Sequence, residues 1–180
     1  SDIPAISRIS RSGLELWEGE DCAKKYFRQK LWGALGTARS FFTETECWIK
    51  HLSLDPITGM DPPGIRLRAA QGFEAADYFM TAYWVWNKLI ENLAEVGYDG
   101  STMSMEAYDW RLSYPLLEER DGYFTKLMYK IEAMHKTTGK QVVIASHSMG
   151  SPLMTYFFAW VVAPVHQGGG GGGRNWVDTH

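Results

Sequence analysis

Cysteine is scarce in this sequence, present only as Cys22 and Cys47. Two are too few for a disulfide scaffold, enough for one bridge, and silent on redox compartment. Positive charge is not in excess either. The 18 Lys and Arg stand against 21 Asp and Glu, for a formal net charge of −3. With no basic stripe along the chain, no nucleic-acid partner is expected. No apolar run reaches the ~18 residues of a membrane span, and no secretory leader opens the chain. The first residue is Ser1, not Met, which reads as a segment cut from a longer protein. His51 and His135 are read as lacking a Cys or carboxylate at ligand spacing, so no metal site and no cofactor is expected.

Aromatic residues, by contrast, are abundant at 14 %, with 8 Trp. Large amphipathic rings suit cores and lipid interfaces alike, so the excess permits lipid contact without requiring it. The 180 residues suffice for one domain with a real core.

From Ile65 onward, strands and helices alternate. Ile65 to Ala70 alternates apolar and basic residues, as a strand with one buried face does. Asp77 to Glu95 has helical spacing through Phe79, Tyr83, Trp86, Leu89, Ile90 and Leu93, and Gly97 supplies a stop. Met103 to Tyr108 is a weaker strand candidate. Asp121 to Lys136 is helical through Phe124, Leu127, Met128, Ile131 and Met134, ending at Gly139. This order predicts an α/β fold with a parallel sheet and right-handed crossovers. Residues 1–64 fit the rhythm poorly. Asp61-Pro62-Pro63-Gly64 reads as a turn into the first clear strand, and the glycine run 168–173 as a flexible exposed loop.

The chemistry concentrates at Ile144-Ala145-Ser146-His147-Ser148-Met149-Gly150. Val142 to Ala145 reads as a short buried strand. Pro152 then suits the first turn of the apolar helix that follows. Strand, tight turn and helix are the setting of a nucleophile elbow, with Ser148 flanked two positions away by the small residues Ser146 and Gly150. The usual motif has glycine at both flanks, so Ser146 is a departure. The competing reading is that Ser148 merely caps the helix. His147 is next in sequence, but adjacent side chains diverge in a sharp turn, and local packing is the expected role.

Further residues carry a family resemblance. Ala107-Tyr108-Asp109-Trp110-Arg111-Leu112 together with Ser146 to Gly150 resembles the lecithin:cholesterol acyltransferase superfamily, and within it the phospholipid:diacylglycerol acyltransferase branch. Ser12 to Trp17, Arg28 to Trp32, Cys47-Trp48, Leu54-Asp55, Gly59 to Pro62, Leu67 to Phe73, Asp77 to Phe79 and the glycine run with Trp176 extend the match over nearly the whole chain. The resemblance implies the N-terminal part of an α/β-hydrolase fold across 1–180, with a Ser-Asp-His triad. The implied reaction moves an acyl group from a phospholipid through an acyl-serine to diacylglycerol, giving triacylglycerol and a lysophospholipid. By the same resemblance, Ser148 is the nucleophile and the Met149 backbone N–H an oxyanion donor. Cys22 and Cys47 would bridge a small membrane-binding cap over residues 22–47, with Leu31 and Trp32 as lipid contacts. A bridge there implies the lumenal side of the endoplasmic reticulum, at the membrane. No protein partner is implied.

Two departures from the family pattern stand out. Ser7-Arg8 replace a Pro-Gly pair, which leaves Ile9 as a doubtful second oxyanion donor. Triad acids and histidines follow the serine in such folds. Asp178, His180 and His166 do not sit where the family has them, so the segment alone is expected to be inactive. Two other functions remain open: a phospholipase or lipase with water as acceptor, or a non-catalytic lipid-surface module. Asp109 and Arg111 could meet a lipid head group, but a structural ion pair is the expected role. Glu118 to Asp121 is read as a solvated helix face or cap. Trp17 and Trp48 could line an acyl path, with packing the expected role, and Trp84, Trp86, Tyr78 and Phe79 are read as core.

Overall fold

The computed structural model describes residues 6–11, 13–33, 42–72 and 85–180, with side chains omitted for 7–11 and 85. The expected helix start at 77, with Tyr78, Phe79, Tyr83 and Trp84, lies outside these residues.

The centre is a parallel three-stranded sheet in the order β5-β1-β6. Its strands are β1 (Ile6–Arg11), β5 (Met103–Tyr108) and β6 (Val143–Ser146). Ile6 aligns with Met103 on one side and Val143 on the other. The middle strand therefore comes from the N-terminal region that the sequence pattern left unassigned. Polar residues at 7, 8, 10 and 11 break the continuous apolar run by which a buried parallel strand is recognised.

β2 (Leu14–Glu18), β3 (Lys30–Trp32) and β4 (Arg66–Ala69) form a second sheet, antiparallel, in the order β3-β2-β4. The strand expected at 65–70 thus exists but does not belong to the parallel sheet. Its alternation accounts for this: one apolar and one solvated face is the signature of an antiparallel sheet. Leu14, Leu16, Tyr26, Leu31, Trp48, Ile65 and Leu67 form the core of this half. α1 (Thr45–Leu52) packs on it through Trp48 and is tied back by a Cys22–Cys47 disulfide. The bridge closes a loop with a sequence separation of 25. Replacing both cysteines with serine is expected to cost about 3 kcal/mol of stability in urea unfolding, because the unfolded chain regains the loop entropy.

α2 (Val85–Glu95) lays Trp86 on Met105 of β5. α3 (Tyr114–Asp121) and α4 (Tyr123–Thr138) meet at Gly122, whose φ of 59° lets the chain turn sharply between them. Glu118 accepts the Phe124 and Thr125 backbone N–H groups at 2.8 and 3.1 Å, capping α4 as anticipated for this acidic run. α4 and α5 (Gly150–Val162) bury Phe124, Leu127, Ile131, Leu153, Phe157 and Val161 in the larger core. After α5 the glycine run folds back onto the helix end. Gly170, Gly171 and Gly172 N–H groups donate to Trp160, Ala163 and Val161 carbonyls at 2.7–3.0 Å. A Cβ on Gly169 would meet the Ala163 carbonyl oxygen at 2.3 Å, so this part of the loop lies close against the helix end, while Gly168 and Gly171 are exposed. α6 (Gly173–Thr179) then docks Trp176 edge-on against Phe157. No described helix is long and apolar enough to cross a membrane.

Candidate active site

Ser148 sits at the carboxyl end of β6, in the turn that enters α5. Chain order reverses about β1: β5 is added on one side and β6 on the other. Such a reversal opens a crevice outside the carboxyl ends of the strands, where ligands bind in parallel sheets. Ser148 has a φ of 55°, one of two positive values among described non-glycine residues. An L-residue pays for that conformation sterically, and a sharp strand-to-helix turn that thrusts its side chain outward accounts for the cost. The residue is exposed.

The helix-cap alternative finds no support in the geometry. The capping position of α5 is Met149, and no side-chain cap bond is made there. The Met149 N–H, at the positive end of α5, has no acceptor among the described residues, as an oxyanion donor requires. Ser146 Oγ lies 3.4 Å from Ser151 Oγ and so braces the turn. His147 turns away, its ring edge-on to Trp86 at 6.2 Å. Ile9 lies inside β1, aligned with Glu106 and Ser146 on its two sides. A backbone amide at such a position ordinarily bonds a neighbouring strand.

The remaining histidines are engaged apart from Ser148. His135 and His180 contact the Lys140 and Trp176 carbonyl oxygens at 2.9 Å, and His166 lies 3.4 Å from Gln167. Among the described residues no histidine hydrogen-bonds Ser148.

Asp109 and Arg111 form the anticipated buried pair, 0 % and 3 % exposed, at 2.7 Å. The pair is part of a larger network. Arg111 also reaches Asp61 at 2.8 Å, and Arg120 binds Asp109, Asp61 and Asp121 at 2.9, 3.2 and 2.7 Å. Arg68 of β4 joins through Asp61 at 2.6 Å. Arg120, read from sequence as part of a solvated face, is 9 % exposed here because its guanidinium completes this network. Burial alone would raise the Asp109 carboxyl, but the Arg111 hydrogen bond and the charges of Arg111 and Arg120 hold it below the usual carboxylate range. The network locks the antiparallel half onto the end of β5, and each of its guanidinium groups is paired with a carboxylate.

Leu31 is 3 % exposed and points into the core of the antiparallel half, so this side chain does not face lipid. The alternation of β3 turns it inward, between neighbours that are partly exposed. Trp32 is half-buried against Trp110 at 5.2 Å. Exposed aromatics among the described residues of this half are Phe42, 79 % exposed, and Trp17 and Phe27, 43 % and 56 % exposed, the last two edge-on at 6.3 Å. Arg28 stands 5.7 Å over the Trp17 ring. His51 corrects the reading that it lacks a nearby cysteine. It is fully buried one turn after Cys47, its Nδ1 3.8 Å from Cys47 Sγ. The four-residue spacing on a helix was the available signal.

A protein-family model described as lecithin:cholesterol acyltransferase matches residues 26–180. A Schizosaccharomyces pombe protein named phospholipid:diacylglycerol acyltransferase is 52 % identical over 182 residues, covering 100 % of this chain and 28 % of that protein. A Saccharomyces cerevisiae protein of the same name is 47 % identical, over 99 % of this chain and 27 % of its own length. Human phosphatidylcholine-sterol acyltransferase is 32 % identical over 62 % of this chain and 27 % of its own length. The chain thus spans under a third of the length of each of these relatives.

Proposed function

The chain belongs to the lecithin:cholesterol acyltransferase family, whose fold is α/β-hydrolase-like, and from that premise we propose that it carries the nucleophile of a phospholipid:diacylglycerol acyltransferase. The observation that carries this reading is Ser148, held at positive φ between a parallel strand and a helix. Ser148 attacks the phospholipid ester, and the Met149 N–H holds the developing oxyanion. The lysophospholipid leaves, and a diacylglycerol hydroxyl takes the acyl group, forming triacylglycerol. The acid and histidine of the triad come from sequence following Ser148 in the whole protein.

The test replaces the matched segment of the fission-yeast relative with this chain. The chimera is then given labelled phosphatidylcholine and diacylglycerol. Labelled triacylglycerol is the expected product. Labelled free fatty acid in its place would assign water as the acceptor and make the protein a phospholipase.

The disulfide-closed segment 22–47 acts as a membrane-facing cap in this reading, on the lumenal side of the endoplasmic reticulum. Phe27 and Phe42 within it and Trp17 beside it supply exposed aromatic surface, and Arg28 suits an anionic lipid surface. Replacing both Trp17 and Phe27 with serine is expected to weaken binding of the chimera to phosphatidylcholine–phosphatidylserine vesicles about tenfold, roughly 1.4 kcal/mol of lost apolar burial. Unchanged flotation with the vesicles would place the lipid contact on another surface.

A further inference from the structure

Acyl transfer makes no use of His51, yet this fully buried side chain is fixed at both ring nitrogens. The Glu20 backbone N–H donates to Nε2 at 3.1 Å, so the ring proton belongs on Nδ1. Nδ1–H then faces the Cys47 carbonyl oxygen at 2.7 Å and Cys47 Sγ at 3.8 Å. Gly19 makes room for the ring: a Cβ there would lie 2.9 Å from Nε2. The two sulfurs of the bridge therefore differ in their surroundings. Cys22 is exposed, whereas Cys47 is half-buried, in the first turn of α1, beside an N–H donor. A helix N-terminus and a nearby donor both favour a thiolate over a thiol. Ligand atoms of Cys22, Cys47 and His51 lie within 4.8 Å of one another, a spacing suited to a soft metal. With the sulfurs bonded to each other and the proton on Nδ1, however, no ring lone pair is aimed at one.

We infer that Cys22 is a thiol-modification site, the sulfur at which an external thiolate enters, and that Cys47 is the leaving thiolate, received by His51 Nδ1–H. An incoming RS⁻ attacks Cys22 Sγ and forms a Cys22–SR bond. The Cys22–Cys47 bond breaks, and its electron pair departs on Cys47. A monothiol such as glutathione stops at this mixed disulfide. With a dithiol, the second thiolate attacks the dithiol's own sulfur in the mixed disulfide and releases Cys22 as a thiolate. The dithiol is thereby oxidised and the cysteine pair reduced, by two electrons each. A leaving sulfur that is stabilised as an anion departs faster, which gives the exchange its direction. Reduction opens the loop between residues 22 and 47 while the hydrogen bond from Glu20 to His51 still holds the base of that loop to α1.

The test incubates the folded chain with glutathione, quenches with an alkylating agent and maps the adducts by peptide mass spectrometry. Glutathione on Cys22 with alkylated Cys47 is expected, in excess over the reverse by about tenfold. An even split, or glutathione mainly on Cys47, overturns the assignment. A second readout is the rate of reduction by dithiothreitol. His51→Leu, without the donor, is expected to react about tenfold more slowly, and His51→Asn, which keeps a donor toward Cys47, to recover most of the rate. If His51 only fills space, His51→Leu loosens the packing and reduction becomes faster, which contradicts the proposal. The adduct map needs no substitution, so it decides the matter even where a variant fails to fold.

Discussion

Ser148→Ala in the chimera is expected to lower triacylglycerol formation by at least about a thousandfold while leaving stability nearly unchanged. The size follows from the role. Without Oγ there is no acyl-enzyme, and the difficult step is no longer divided into two easier ones. The small effect on folding follows from exposure: the hydroxyl is exposed at the turn and leaves no cavity behind. Ser148→Cys keeps a nucleophile of similar shape and separates the two kinds of loss. It is expected to retain acyl-enzyme formation with a slower turnover. Phosphatidylcholine turnover by Ser148→Ala at the wild-type rate would remove the serine from the mechanism.

Asp109→Asn is expected to destabilise the chain by about 3–5 kcal/mol in urea unfolding, a large share of the stability of a domain this size. The carboxylate is fully buried and faces Arg111 at 2.7 Å and Arg120 at 2.9 Å. A neutral amide leaves two guanidinium groups, 3 % and 9 % exposed, short of countercharge. The pH dependence carries the same signature. The folded carboxyl ionises below its unfolded value near 3.9, so its contribution is complete above about pH 4. That contribution is lost as pH falls through the lower folded value. Acid titration of the urea midpoint is therefore expected to show a falling limb below about pH 4 that Asp109→Asn flattens. Equal acid limbs in both chains would mean that Asp109 is not charged in the folded state.

How far these features can be read from the sequence depends on how local their causes are. The elbow is legible because strand, turn and helix follow within twenty residues, and the small residues Ser146 and Gly150 flag the sharp bend. The pairing of Asp109 with Arg111 is likewise local, two residues apart. The rest of the network is not, since Arg111 meets Asp61 across 50 positions and Arg120 meets it across 59. No periodicity marks such partners. β1 was hidden for a different reason: Ser7, Arg8, Ser10 and Arg11 give a central strand the polarity of an exposed one. The alternation at 65–70 predicts a strand, which forms at Arg66–Ala69 in the antiparallel sheet, where one solvated face is the mark of such pairing. Adjacency to Trp32 does not make Leu31 a lipid contact, because neighbouring residues of a strand face opposite sides. The nearness of His51 to Cys47 is legible from their spacing of one helical turn.

The most direct measurement is acid quenching of the chimera during turnover with phosphatidylcholine carrying a labelled acyl chain, followed by peptide mapping of the protein-bound label. The nucleophile assignment predicts a single ester-linked acyl group on Ser148, discharged when diacylglycerol is added. Label on any other residue, or triacylglycerol formed with no protein-bound acyl group under single-turnover conditions, would contradict it.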